Sequence, residues 1–419
     1  MRTLTFKRLI GSGAMGTVYE AELGAPRGFC RPCAVKVMKN ASPDHEHFMA
    51  RMRDEARLLG MLQDEHILGV TELVLVDGRD AVVMEYVEGV DLADLIKSHR
   101  TPSRALAELA AEIAGTLYRA HTASHPTDGK PLNVIHRDVK PANVMVTARG
   151  GIRLLDFGVA RAVFSSRESQ TQGLVLGTLN YFPPEILAGH EPSSAVDIYG
   201  LGLTLWECAA GRDWGSPQVK RDRFDRRVRN RLRDIEDEYS AILPILRRIL
   251  SWDPNERPHG GEIEREMLRA ADNCPGEGLR TWARRVVPPL LEARKGNAAP
   301  DPMVGRTIPI VSPPEELAIG EIDLPPRRIP DPTAVTYDEL HADPEIVKQL
   351  RQDDIKTVAI DISGVKGDSA RPPTKRRRRR KKKGMSTPMV AALAFLVVLF
   401  LGTLAIIFVA LLTVLLLTL

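Results

Sequence analysis

Only four of the 419 residues are cysteine, at Cys30, Cys33, Cys208 and Cys274. That is too few for a disulfide framework in a chain of this size and suits a reducing compartment. Cys30-Arg31-Pro32-Cys33 has CxxC spacing, but a lone pair lacks the other two ligands of a structural zinc site. The spacing reads as incidental, within a hairpin turn. The N-terminus, MRTLTFKRLIGSG, has no apolar run long enough for a signal peptide. No repeat recurs at the spacings of solenoid or propeller architectures. A one-signed charge excess is missing too. The formal net charge is +4, yet Lys375 to Lys383 is an unbroken run of nine basic residues, without which the chain carries −5. The basicity belongs to one short segment, and no nucleic-acid partner is expected for the folded part.

Long hydrophobic runs are absent except at the end. From Gly384 to Leu419 there is no charged residue, and from Met389 onward nearly every residue is apolar. About 20 such residues cross a bilayer as a helix, and a core helix would not be apolar on every face for that length. Residues 388–419 are expected to form a C-terminal transmembrane helix with no further domain after it. Basic flanks stay on the cytoplasmic side, so the segment at 375–384 places the rest of the chain in the cytoplasm. The expected localisation is the cell membrane, single-pass, by a tail anchor. The same cations could attract anionic lipid by about 1 kcal/mol each, or act as a topology signal alone.

Along the chain, residues 1–88 read as short β runs broken by turns, with one helix from about Pro43 to Leu62. Residues 89–285 read as mostly helical, with brief strands around 132–155. Between Pro288 and Thr374 stand fourteen prolines in 87 residues with few aromatics, so residues 286–374 are expected to be a disordered linker.

The stretch NVIHRDVKPANVMV (residues 133–146) packs His136, Arg137, Asp138, Lys140 and Asn143 between two apolar runs. A core strand could not hide so much charge. Strand, polar loop, strand is the economical reading, with the polar groups turned into one site. Upstream, LIGSGAMGTVYEAEL holds Gly11, Gly13 and Gly16 in a GxGxxG pattern shared by dinucleotide-binding folds and kinases. Here a β-rich run follows the glycines, and twenty residues beyond Gly16 stands Lys36, a cation where the dinucleotide fold wants an anion. A glycine turn lets backbone amides approach phosphates, and a lysine on the next strand reaches them as a point charge.

Glu55 lies on the apolar face of Phe48, Met52 and Leu59. It reads either as a partner of Lys36 or as a solvated helix-edge glutamate. Asp156, in RLLDFGVA, follows Asn143 by thirteen residues. Both are hard oxygen donors of the kind Mg²⁺ takes beside phosphate. Asp138 then suits accepting a proton from an attacking hydroxyl, and Lys140 suits neutralising the moving phosphoryl group.

In order and spacing, GSGAMGTVY, AVK, EAR, VVMEYVEG, HRDVKPAN, DFG, GTLNYFPPE, DIYGLG and NERP resemble the eukaryotic-like serine/threonine protein kinases. The chain looks like a membrane-tethered bacterial member, with the resemblance covering residues 6 to about 272. It implies an α+β, bilobal protein kinase fold with a β-rich N-lobe and a helical C-lobe. It also implies ATP, Mg²⁺ or Mn²⁺, and protein substrates bearing Ser or Thr. By the resemblance, Ile10, Gly11, Ser12, Gly13, Gly16, Val18 and Ala34 belong to the ATP site, and Lys36 binds phosphates while paired with Glu55. Met84 would be the gatekeeper, Glu85 and Val87 the adenine contacts, and Asp91 a ribose contact. Asp138 would be the catalytic base, Asn143 and Asp156 the metal ligands. Asp197 would brace the catalytic loop, and Arg257 would pair with Glu185.

In this family a lysine at the place of Lys140 marks Ser/Thr rather than Tyr specificity. Arg137 suggests control by activation-loop phosphorylation, with candidates Ser165, Ser166, Ser169 and, favoured, Thr171; unmodified hydroxyls are the alternative. Thr178 resembles a residue that shapes the substrate pocket. The sequence departs from the pattern at FPPE, at Leu179 and in HTASHPTDGKPLNV, whose histidines read as an exposed loop insertion. His45 and His47 read the same way. Two other functions stay open: a membrane-anchored pseudokinase scaffold and a small-molecule phosphotransferase. So does a homodimer for trans-autophosphorylation.

Overall fold

The computed structural model describes residues 2–13, 16–25, 28–39, 61–62, 64–157, 179–296 and 300–310. Strands β1 (Thr3–Ser12), β2 (Gly16–Gly24) and β3 (Cys30–Met38) form a meander, joined by the hairpin of β4 (Val70–Val76) and β5 (Arg79–Glu85). All pair antiparallel in the order β4-β5-β3-β2-β1. Burial alternates along β2, with Tyr19, Ala21 and Leu23 turned inward, as the period of two of a one-faced sheet requires. Asp77 and Gly78 both take left-handed φ, 50° and 73°. Their backbone fits the two-residue β4–β5 connection because it matches the twist of the strands. Leu4, Phe6, Val35, Val37, Val74 and Val83 fill the core of this N-lobe.

The C-lobe begins with β6 (Gly89–Asp91), α1 (Leu92–Ser98) and α2 (Ser103–Thr122), and β6 forms a small sheet with β7 (Val144–Thr147) and β8 (Ile152–Leu154). Then come α3 (Pro184–Leu187), α4 (Ala195–Ala210), α5 (Arg221–Arg233), α6 (Glu236–Tyr239), α7 (Leu243–Ile249), α8 (Gly260–Ala271), α9 (Leu279–Gly296) and β9 (Thr307–Pro309). Helix α4 is buried on every side, which its sequence, AVDIYGLGLTLWECAA, allows because apolar or small residues occupy all faces. A Cβ at Gly200 would lie 2.6 Å from the Val139 carbonyl oxygen, so only glycine lets α4 press against the loop that carries Asp138. In the last turn of α4, buried Glu207 accepts from the Tyr181 hydroxyl (2.7 Å) and the Trp214 N–H (2.8 Å).

Two sequence expectations fail here. The disordered linker expected from residue 286 does not begin there. Helix α9 runs on to Gly296 with Pro288 and Pro289 inside it, because Trp282, Ala283, Val286 and Val287 are buried in the C-lobe core and Leu290 and Leu291 pack against it. Packing on both sides of the prolines outweighs the two backbone N–H groups they lack. Beyond it, β9 pairs antiparallel with β1, as Leu4↔Ile308, and Met303 and Ile308 are buried in the N-lobe core. Nor is the Cys30–Cys33 pair in a turn. It lies on β3, with Cys30 exposed and Cys33 buried. Burial pushes the Cys33 thiol up to about 11, far from the thiolate that redox chemistry needs.

Residues 311–374, 375–384 and 388–419, and nearly all of the helix expected over Pro43–Leu62, lie outside the described residues. Among the described residues no helix is long and apolar enough to cross a membrane.

Two stability experiments test this packing. Trp282→Ala should cost about 3–5 kcal/mol in urea unfolding if α9 is part of the core; a negligible loss would mean that it is not. Burial raises the Glu207 carboxyl from 4.5 to about 7, more than its two hydrogen bonds lower it. Its stabilising contribution is therefore complete below its unfolded value and is lost as pH rises through its folded one. Glu207→Gln should flatten the fall in stability between about pH 5 and 8, a difference on the order of 3 kcal/mol. Curves of wild type and variant that stay parallel across that range would refute it.

Candidate active site

The site lies where the N-lobe sheet faces β6, β7 and the loop before β7. A cleft of about 800 Å³ opens there, roofed by Ile10, Gly11, Val18 and Ala34, backed by Met84, edged by Glu85 and Val87, and floored by Met145 and Leu155. Register explains the roof and back. Val18 stands opposite Lys36 in the β2–β3 ladder and Ala34 opposite Met84 in the β3–β5 ladder. Ala34, Val82 and Met84 are buried together, with Val18 against them, a flat apolar slot suited to a planar ring. The Glu85 N–H donates to the Gly69 carbonyl (2.9 Å), so a base at this edge would meet the Glu85 carbonyl instead.

A Cβ at Gly16 would lie 2.7 Å from the Val37 carbonyl oxygen, whereas one at Gly11 meets nothing within 4 Å. Gly16 is therefore demanded by packing between β2 and β3, and Gly11 is not. Gly13 closes the turn by donating to the Gly16 carbonyl (2.9 Å), and the Ser12 hydroxyl lies 3.3 Å from that of Thr17.

Lys36 Nζ reaches both carboxylate oxygens of Asp156 at 3.0 Å. The lysine side chain is 11% exposed and the aspartate 42%. Glu55, the expected partner of Lys36, lies outside the described residues; the partner observed is Asp156. The loop from His136 ends in a 3-10 turn, Pro141–Asn143, that leads into β7. Asp138 Oδ2 accepts from Lys140 Nζ (2.6 Å) and Asn143 Nδ2 (2.8 Å). Asn143 Nδ2 also donates to the Asp138 carbonyl at 2.8 Å, which turns its amide oxygen away from Asp138. The Leu155 N–H donates to the Asn143 carbonyl (2.9 Å), tying Asp156 beside Asn143. Asp138 Oδ1 is buried with no hydrogen-bond partner among the described residues.

One carboxylate holds this loop in shape. Asp197, in the first turn of α4 and fully buried, accepts from the His136 N–H (2.8 Å) and the Arg137 N–H (2.6 Å) and meets His121 Nε2 at 2.8 Å. Burial alone would raise this carboxyl. The His121 hydrogen bond, the charges of His121 and His136 and the Arg137 N–H outweigh it and hold the group below its ordinary range. Arg137 takes φ 68° and Asp156 φ 52°, a left-handed backbone that costs roughly 1–3 kcal/mol at a non-glycine residue. The His136 ring lies 4.5 Å from that of buried Phe157. Below, Arg257 makes a buried two-pronged pair with Glu185 (2.6 and 2.9 Å) and donates to the Ala195 carbonyl.

Asp91 caps α1 through the Asp94 N–H (2.9 Å) and lines the cleft. Thr171, Ser169, Ser166, Ser165 and Thr178 lie outside the described residues. Among residues the sequence reading missed, His121 is no loop histidine but the last turn of α2, directed at Asp197. Its spacing of four from Leu117, which is buried, was the available signal. Arg294, on α9, also lines the cleft, and nothing in the local sequence announces it.

The family described as "Protein kinase domain" matches residues 4–267. The chain is 36% identical over 239 residues to the serine/threonine-protein kinase PknD of Mycobacterium tuberculosis, covering 57% of this chain and 33% of that one. It is 32% identical over 319 residues to the serine/threonine-protein kinase PknH of Mycobacterium bovis, covering 74% and 50%. It thus spans a third to a half of the length of these curated relatives. The crystal structure of the M. tuberculosis PknI kinase domain aligns at 26% identity and TM-score 0.48, over 64% of this chain and 96% of that one. With the family match spanning more than half its length, the chain belongs to the protein kinase family.

Proposed function

We propose that this chain is an ATP-dependent serine/threonine protein kinase that phosphorylates proteins, itself included, while tethered to the cell membrane. One observation carries the chemistry: buried Asp138 Oδ1 lacks a partner among the described residues, while Oδ2 is held by Lys140 and Asn143. A carboxylate fixed through one oxygen, with the other unsatisfied, is set to accept a proton from a substrate hydroxyl. As that proton passes to Asp138, the Ser or Thr oxygen bonds to the γ-phosphorus of ATP, the bond to the β–γ bridging oxygen breaks, and ADP leaves. Lys140, 2.6 Å from Asp138, offsets charge on the phosphoryl group in transit. Lys36 would serve the phosphates and the apolar slot the adenine.

The donors at Asn143 and Asp156 are hard oxygens side by side along the chain fold, and they fit Mg²⁺ or Mn²⁺. An ion held there would offset negative charge on the phosphate oxygens. Lys140 and the names of the relatives support Ser/Thr specificity. The apolar segment 388–419 and the nine cations before it support a single-pass anchor with the kinase on the cytoplasmic side, lipid contact at the basic run, and encounter of two copies for trans-phosphorylation.

Labelled ATP and Mg²⁺ should phosphorylate the purified chain or a generic protein substrate. Asp138→Asn should lower the rate by about 10²–10⁴-fold while nucleotide still binds. Lys36→Met should also lose activity, and removal of divalent metal should stop labelling reversibly. An Asp138→Asn protein that labels as fast as wild type would remove Asp138 as the base; no labelling by either, with nucleotide still bound, would favour a scaffold.

A further inference from the structure

The end of the cleft at Asp91, where the resemblance to protein kinases would put the ribose, is not lined by residues 4–267 alone. Asp91 Oδ1 accepts the Asp94 N–H at 2.9 Å, and Oδ2 accepts from the Arg294 guanidinium at 2.6 Å. The same guanidinium nitrogen also donates to Asp94 Oδ2, and Lys97 Nζ holds Asp94 Oδ1 at 2.6 Å. Arg294 lies outside the family match, which ends at residue 267, yet it lines the same cleft as Ile10, Met84 and Val87.

We propose that Arg294 is a positioning residue for nucleotide selection, orienting the Asp91 carboxylate toward the ribose hydroxyls. This rests on the kinase reading above. Two carboxylates three residues apart on one helical turn repel each other, and an unpaired Asp91 would also oppose an incoming polyphosphate. The shared guanidinium removes both penalties and leaves each Asp91 oxygen a second lone pair for a hydroxyl. Burial would raise the Asp94 carboxyl, but the hydrogen bonds from Lys97 and Arg294 hold it below its ordinary range, consistent with a charged, fully paired cluster.

The arginine is delivered by a rigid element. Trp282, Ala283, Val286 and Val287 anchor α9 in the C-lobe core. After it, the chain is fastened to the N-lobe, where Tyr19 donates to Asp301 (3.2 Å), Arg306 meets Asp77 (2.8 Å) and β9 pairs with β1. The nucleotide site thereby depends on a segment outside the kinase domain proper.

The test measures dissociation constants of ATP and 2′,3′-dideoxy-ATP, with KM and kcat for ATP, on the full chain. Wild type should prefer ATP roughly tenfold, as a hydrogen bond from a hydroxyl to a charged group warrants. Arg294→Ala should weaken ATP several-fold, through KM rather than kcat, and cut the preference to about twofold. Arg294→Lys, a point charge without the fork, should recover part of it. A merely structural role would weaken both nucleotides equally, so an unchanged ratio overturns the proposal. So does tighter ATP binding by Arg294→Ala, which would make Arg294 a competitor for Asp91. Wild type that binds ATP without preferring it overturns this inference alone; wild type that binds neither nucleotide overturns the kinase reading with it.

Discussion

A buried carboxylate pinned by two backbone N–H groups holds the site together. Asp197 belongs to α4, the most thoroughly buried helix of the C-lobe, and through it the helix grips the backbone at His136 and Arg137. Burying that charge is costly, and the cost is offset because its bonding positions are filled, two by peptide N–H groups and one by His121. In return the loop is held in a left-handed turn at Arg137 that an unsupported chain would leave. That fixes the backbone from which Asp138 projects, one residue on. A base that must meet a hydroxyl within a few tenths of an ångström needs such support from a rigid element.

The buried Arg257–Glu185 pair plays a comparable part lower down. Arg257 touches the Ser251, Trp252 and Ala195 carbonyls as well as Glu185 and lies over the Tyr199 ring. It thus ties α3 to the start of α4. Tyr181, bonded to Glu207, ties the chain just before α3 to the last turn of α4 in the same way.

The N-lobe and C-lobe also meet through chain that composition alone assigned to a linker. Proline density between residues 288 and 374 argued for disorder, and for residues 286–296 and 300–310 that argument fails. Counting prolines weighs the lost N–H groups but not the tryptophan and valines that seat the helix, nor the unpaired edge of β1 that β9 covers. The Lys36 partnership shows another limit. Apolar spacing can place Glu55 on a helix face, but it says nothing of contacts made across the fold, such as that of the Lys36 ammonium with both carboxylate oxygens of Asp156 at 3.0 Å. His121 was misread for the same kind of reason. From sequence it sits at the start of a polar insertion; in the fold it is the last inward turn of a helix.

The local problems were largely solvable from the sequence itself: where the glycines turn, which strand carries Lys36, and that His136 to Asn143 form a polar loop between two apolar runs, although only the second of these, β7, is a strand and the first is buried as irregular chain. Each depends on backbone freedom, side-chain period or ligand chemistry within a few residues, and such preferences are written in neighbouring letters. Only the tertiary structure decided what distant segments do to one another. It set Asp197 beneath the loop sixty residues before it, seated Pro288 and Pro289 within a helix, and brought Arg294 to Asp91 across 203 positions of chain. Those outcomes follow from burial and from pairing of charge, summed over the whole core, and no short stretch of sequence contains that sum.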